Sequence, residues 1–150
     1  MSKLKPLFFK QETRYSCAPA CLRMVLSAFG VHVDETKLRQ LSDCSPLGTD
    51  AFQLVEAARR LGFTATRKHT LASVEDLMRF LDQRSFPIVY VDLWPLRGGL
   101  SGQYHSLVVE AIEQQSVLVL DPLEGEREIP IEDFQTAWEE MRRLAIVVER

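Results

Sequence analysis

The sequence predicts an α+β fold, and the order of two patterns carries the prediction. Between residues 17 and 83 the apolar side chains recur at helical spacing, whereas after Pro87 they gather into short Val/Ile/Leu-rich runs separated mostly by turn residues. Helices therefore come first and an antiparallel sheet second, with the helices packed on one side of that sheet. A third observation sets the scale. The chain has 150 residues, 46% apolar and 26% charged, an ordinary composition for a soluble globular chain and a length suited to one domain. No repeat or Pro/Ser-rich linker divides it, so residues 1–150 read as a single domain.

Each element has its own signal. Ala18, Cys21, Leu22, Val25, Leu26 and Phe29 form one stripe of a helix running from Cys17, with Ser16 as N-cap, Pro19 in the first turn and Gly30 as the stop. Asp34 caps a short helix through Leu41. Thr49 caps a third through Leu61, with Phe52, Val55, Ala58 and Leu61 facing inward and Gly62 ending it. A fourth helix spans Ser73 to Gln83 on the period of Val74, Leu77, Met78 and Leu81. Strands follow at Ile88–Asp92, Ser106–Ile112, Val117–Leu120 and Leu144–Val148, and Gln114-Gln115 joins the second and third as a hairpin. Pro130, Ile131, Phe134, Ala137 and Trp138 mark a short helix before the last strand.

Composition excludes several function classes. Eighteen basic and 21 acidic side chains give a net charge of −3 with no block of one sign, so no nucleic-acid partner is expected. An unbroken apolar run as short as Leu144–Val148 falls far below the roughly 20 residues of a bilayer span, so the chain is not membrane-embedded. Leu7–Phe9, bracketed by Lys5 and Lys10, is too short for a secretory signal core, and a cytoplasmic location is expected. Three cysteines, an odd number, argue against a disulfide scaffold and leave at least one free thiol.

Several residues could carry chemistry. Cys17, at the first turn of the first helix, feels the unpaired N–H groups and positive dipole end that favour a thiolate; it is either a structural residue or a nucleophile. Cys21, one turn deeper on the apolar stripe, reads as an inert small hydrophobe, and Cys44 has no evident role. His32 reads as a surface residue after the Gly30 turn, and His69, among Arg67, Lys68 and Thr70, as part of a solvated loop. His105 differs, because it stands at the mouth of an apolar strand, as a satisfied edge residue or a site residue. Asp121 closes the partner strand of the same hairpin, where neighbouring strands lie roughly 5 Å apart and a carboxylate–imidazole hydrogen bond is within reach; the Asp-Pro pair alternatively just starts a turn. Gln11 carries an amide NH2 that could fold back beside the thiol, a second oxyanion donor next to the Cys17 N–H. Thiol, imidazole, carboxylate and oxyanion donors together are the parts of a cysteine protease. The segment Trp94–Tyr104 (WPLRGGLSGQY) leads into His105 and is either a substrate-gripping flap or an ordinary crossover.

These residues also match a family pattern. The stretch from Gln11 to Met24 (QETRYSCAPACLRM), Gly48-Thr49 with the helix ending at Gly62-Phe63, Tyr104–Val109 (YHSLVV) and Val119–Gly125 (VLDPLEG) resemble successive blocks of the papain-like bacteriocin-processing cysteine peptidases. These form family thirty-nine of the cysteine peptidases and remove double-glycine leaders. The resemblance runs from about Phe9 to Trp138. It implies a papain-like fold, a helical half against a sheet half with the active site in the cleft between them. It assigns Cys17 as nucleophile, His105 as general base, Asp121 as its orienting partner and Gln11 to the oxyanion hole. Position 18 is Ala where the family usually has Gly.

The function expected is thus peptide-bond hydrolysis on a peptide or protein substrate without a cofactor. Trp94, Gly98, Gly99 and Tyr104 are the substrate-binding candidates, and the chain acts as a stand-alone domain that a separate export transporter could recruit. The alternative is a catalytically silent module of the same fold that docks export substrates. A metal site built from Cys17, Cys21, Cys44 and a histidine is disfavoured by the loose Cys-x3-Cys spacing, so no metal is expected.

Overall fold

The computed structural model describes residues 4–97 and 104–150. Helix α1 spans Cys17–Ser27 and buries Ala18, Cys21, Leu22, Met24, Val25 and Leu26. It ends as the sequence indicates: Gly30 takes φ +75° and the Val31 N–H returns to the Leu26 carbonyl at 3.1 Å, a reversal that glycine makes without a Cβ penalty. Helix α2 (Glu35–Leu41) starts after Asp34 as expected, but the Asp34 side chain makes no capping hydrogen bond. Helix α3 (Ala51–Arg60) begins one residue later than Thr49 implies. Its cap is Asp50, which accepts from Gln53 N–H at 2.8 Å while Gln53 Oε1 accepts from Asp50 N–H at 2.9 Å. This reciprocal pair satisfies two helix-end donors where a lone Thr49 would satisfy one. Phe52 is 69% exposed rather than inward, because the buried face of α3 runs through Ala51, Leu54, Val55 and Ala58. Helix α4 (Val74–Asp82) carries the same kind of box between Ser73 and Asp76; its Val74 and Leu77 are buried, but Met78 is exposed.

Two further helices are α5 (Trp94–Arg97), a single turn inside the expected Trp94–Tyr104 connection, and α6 (Ile131–Glu139). The strands are β1 (Arg67–His69), β2 (Ile88–Asp92), β3 (Tyr104–Ile112), β4 (Ser116–Asp121), β5 (Gly125–Pro130) and β6 (Ala145–Val147). They form one sheet in the order β1-β6-β2-β3-β4-β5, with every neighbour antiparallel. Gln114-Gln115 makes the β3–β4 turn, closed by Glu113 N–H to Ser116 carbonyl at 2.9 Å. The α+β class and the helical-half, sheet-half division match the expectation. The two edge strands, β1 and β5, have no counterpart in the apolar pattern. His69 accordingly lies in β1, its ring 5.0 Å from that of Phe80, and not in a loop.

The helices do not all pack on one side. α1, α2 and α3 cover one face, meeting Ile88, Tyr90, Val108, Leu120 and Ile146. α4 and α6 cover the other, where Leu77, Phe134 and Trp138 meet Val89, Val91, Leu107, Val119 and Val147. The reason lies in β2, whose five residues are all buried; a strand apolar on both faces requires cover on both. Helix α1 therefore points its first turn at the ends of β3 and β4, and this packing creates the site.

Candidate active site

The site begins where α1 begins. Residues 11–16 form a tightly bonded entry loop. Ser16 is fully buried and stands at the N-cap position, but its hydroxyl does not cap the helix. It instead accepts from Thr13 N–H at 3.0 Å and donates to the Thr13 carbonyl at 3.3 Å. Glu35 of α2, its side chain 1% exposed, takes Glu12 N–H at 3.0 Å and pairs with Arg39 at 3.1 Å. Gln11 donates its backbone N–H to the Pro122 carbonyl at 2.9 Å, which ties the loop to the residue after Asp121. Its side-chain NH2 donates to the Thr13 carbonyl at 2.7 Å, and the second amide proton is left over for another acceptor.

Cys17, half-buried on the first turn of α1, meets Ser106 Oγ at 3.7 Å. His105 Nε2 hydrogen-bonds Asp121 Oδ1 at 2.7 Å, with the imidazole and the carboxylate both buried. That leaves Nδ1 as the ring nitrogen not engaged by the acid. Asp121 also accepts Leu123 N–H on Oδ1 at 2.9 Å and Arg127 Nη1 on Oδ2 at 2.9 Å. Cys17, His105 and Asp121, drawn from α1, β3 and β4, therefore lie together, and Gln11 adjoins them through Pro122.

The electrostatics follow from these contacts. Burial pushes the Cys17 thiol up, but the neighbouring His105 and the Ser106 hydroxyl outweigh it, and its pKa falls below the ordinary value. Burial would discharge His105, yet Asp121 and Cys17 overcome this and push it up to about 9. Burial also opposes ionisation of Asp121, and the hydrogen bonds from His105, Leu123 and Arg127 hold it at about 2. All three shifts favour one state, thiolate beside imidazolium above carboxylate. Cys21 goes the other way: fully buried, it is pushed well above its ordinary value by desolvation, as an inert core thiol should be. Burial likewise raises Cys44.

The remaining candidates fall differently. Trp94 and Tyr104 are 54% and 64% exposed on either side of the connection into β3. Gly98 and Gly99 lie outside the described residues. His32 is exposed, as expected. Among the described residues no group of His, Cys, Asp and Glu is arranged to hold a metal, and no helix is long and apolar enough to cross a membrane. A surface cleft of about 390 Å³ lined by Lys5, Phe86 and Glu110 lies toward the far end of β3 from His105 and has no cysteine, serine or threonine in its lining. Sequence reasoning missed Ser106, Glu35 and Arg127. Arg127 was detectable in principle, as a basic residue on the return strand after Asp-Pro, had β5 been recognised as a strand.

Comparison with known proteins adds the lineage. Residues 6–149 match the sequence profile of the peptidase C39 family. The chain belongs to the peptidase C39 family. The peptidase domain of Streptococcus ComA, a bifunctional ABC transporter involved in quorum sensing, superposes with a TM-score of 0.75 at 25% identity, covering 100% of both chains. The double-glycine-motif protease of an AMS/PCAT transporter, solved with its leader peptide, shares the fold with a TM-score of 0.72 at 20% identity, over 99% of this chain and 94% of that one. Among curated sequences, the lactococcin-G-processing and transport ATP-binding protein LagD of Lactococcus lactis is 23% identical over 138 residues, 90% of this chain and 18% of LagD. The C39 chain described here thus corresponds in extent to a peptidase domain, and spans less than a fifth of that transporter.

Proposed function

We propose that this C39 chain is a cysteine peptidase in which residues 1–150 act as one domain, with Cys17 as nucleophile, His105 as general base and acid, Asp121 orienting the ring and Gln11 in the oxyanion hole. The observation that carries the reading is the chain of contacts from buried Asp121 through His105 to a thiol at a helix start. Nδ1 of His105 holds the proton taken from Cys17. The thiolate attacks the scissile carbonyl carbon, and the oxyanion is met by the Cys17 N–H and the remaining Gln11 amide proton. As the tetrahedral intermediate collapses, the C–N bond breaks and the imidazolium protonates the leaving amine. Water then gives its proton to the neutral ring, attacks the thioester and frees the acid and Cys17. Trp94 and Tyr104, exposed beside His105, are the surfaces for the substrate chain.

The substrate class that relatives suggest is a leader peptide ending in Gly-Gly, delivered by itself or by an export transporter. A panel of peptides with and without a terminal Gly-Gly, read by mass spectrometry, tests this against the Cys17→Ala protein. Cleavage by the wild type, at least about 10³-fold faster than by Cys17→Ala, is expected, with unchanged circular dichroism because α1 forms without the thiol. Equal cleavage by both proteins would overturn the assignment. Binding without any cleavage would mark a docking module.

A further inference from the structure

Arg127 is absent from the mechanism above, yet it touches the acid at the end of it. It sits on β5 opposite Val119, two residues beyond Gly125, where the strand starts. Its Nη1 lies 2.9 Å from Asp121 Oδ2, while Oδ1 is taken by His105 at 2.7 Å and by Leu123 N–H at 2.9 Å. With donors on both oxygens the carboxylate cannot rotate away from the ring. We propose that Arg127 is a positioning residue of the catalytic site, which fixes the Asp121 carboxylate beneath His105 and balances its charge. The proposal rests on the peptidase reading for its catalytic meaning.

The charges of this buried row alternate in sign. In the reactive state the row runs thiolate, imidazolium, carboxylate, guanidinium, and its sum is zero. Removing the last member leaves the buried row with a net negative charge. The other titratable groups that face it are Cys21 on α1, Cys44 after α2 and Tyr90 on β2, and burial raises all three so that they stay neutral. Among the described residues facing the row, Arg127 is therefore the cation that balances Asp121. Its side chain is 25% exposed, so it keeps contact with water and holds its charge at little desolvation cost.

A sign follows. Without the guanidinium the potential at both His105 and Cys17 becomes more negative. The imidazolium is then harder to deprotonate and the thiolate harder to form, so both limbs of the activity profile move to higher pH. A residue that only braced β5 would lower activity or stability without moving either limb.

The test compares wild type, Arg127→Met and Arg127→Lys by the pH dependence of kcat/KM and by NMR titration of the His105 ring. Arg127→Met is expected to shift both limbs and the ring titration upward by about half a unit to one unit and to lower kcat roughly tenfold or more. Arg127→Lys, which keeps the charge but not the fork, should restore the limbs more fully than the rate. Unchanged limbs and an unchanged His105 titration in Arg127→Met would overturn the proposal. Should that variant not fold, Arg127→Gln is measured the same way, with the same shifts expected. If the wild type does not cut peptides, the peptidase reading fails, while the His105 titration still decides whether Arg127 governs the pair.

Discussion

At Cys17 two opposing effects of similar kind compete, and the outcome sets the chemistry. Desolvation disfavours the thiolate, but the imidazolium next to it and the Ser106 hydroxyl favour it more strongly. Cys21, one turn away, has the burial without the partners and stays protonated. Iodoacetamide at neutral pH should therefore alkylate Cys17 well before Cys21 or Cys44, as peptide mapping would register. The profile of kcat/KM against pH is expected to fall on its alkaline side near 9, where His105 loses its proton, and on its acid side below the ordinary thiol range. Ser106→Ala removes a donor to the thiolate, so it should move the acid limb upward and leave the alkaline limb in place. A profile with the reverse pattern would show the hydroxyl acting through His105 instead.

At the scale of elements, the entry loop matters as much as the helix it precedes. Residues 11–16 are held by Glu35 of α2 through Glu12 N–H and by Gln11 N–H to Pro122, so the loop takes its position from two separate elements. Glu35→Ala leaves the Glu12 N–H without its acceptor and takes one of two carboxylates from Arg39, which keeps Glu12 Oε1 at 3.2 Å. The expected cost is about 1–3 kcal/mol in a urea titration, with kcat falling more than KM rises because the loop that carries Gln11 loses one of its two ties. Much of the element plan could be read from the chain alone. The α1 stripe with its Gly30 stop, the Asp34 and Ser73 helix starts and the Gln114-Gln115 hairpin each rest on a local period or turn chemistry that needs no partner. The misreadings also have local causes. Thr49 and Asp50 are adjacent cap formers, and Gln53 three residues after Asp50 decides between them. β1 (RKH) and β5 (GEREIP) are edge strands with almost no apolar alternation, so only pairing with β6 and β4 makes them strands.

On the scale of the whole molecule, the sheet is filled on both faces, and a buried charged cluster lies at the end of β3 and β4. That cluster links stability to pH. Asp121 is held at about 2 against an ordinary 3.8, so its contribution is complete above the ordinary value and is lost as pH falls through the folded one. Asp121→Asn should accordingly show a shallower fall in thermal midpoint than the wild type between about pH 4 and 2, as followed by circular dichroism. Equal slopes would assign the acid sensitivity to other carboxylates. The chain alone determined the α+β class, most helix limits and which side chains could react, because periodicity, capping and side-chain chemistry are properties of neighbours in sequence. Only the tertiary structure placed Ser106 against Cys17, Glu35 against the entry loop and Arg127 against Asp121, and decided that helices cover both faces of the sheet. Those contacts join residues far apart along the chain, or across a strand pairing that leaves no apolar trace, and no local pattern encodes them.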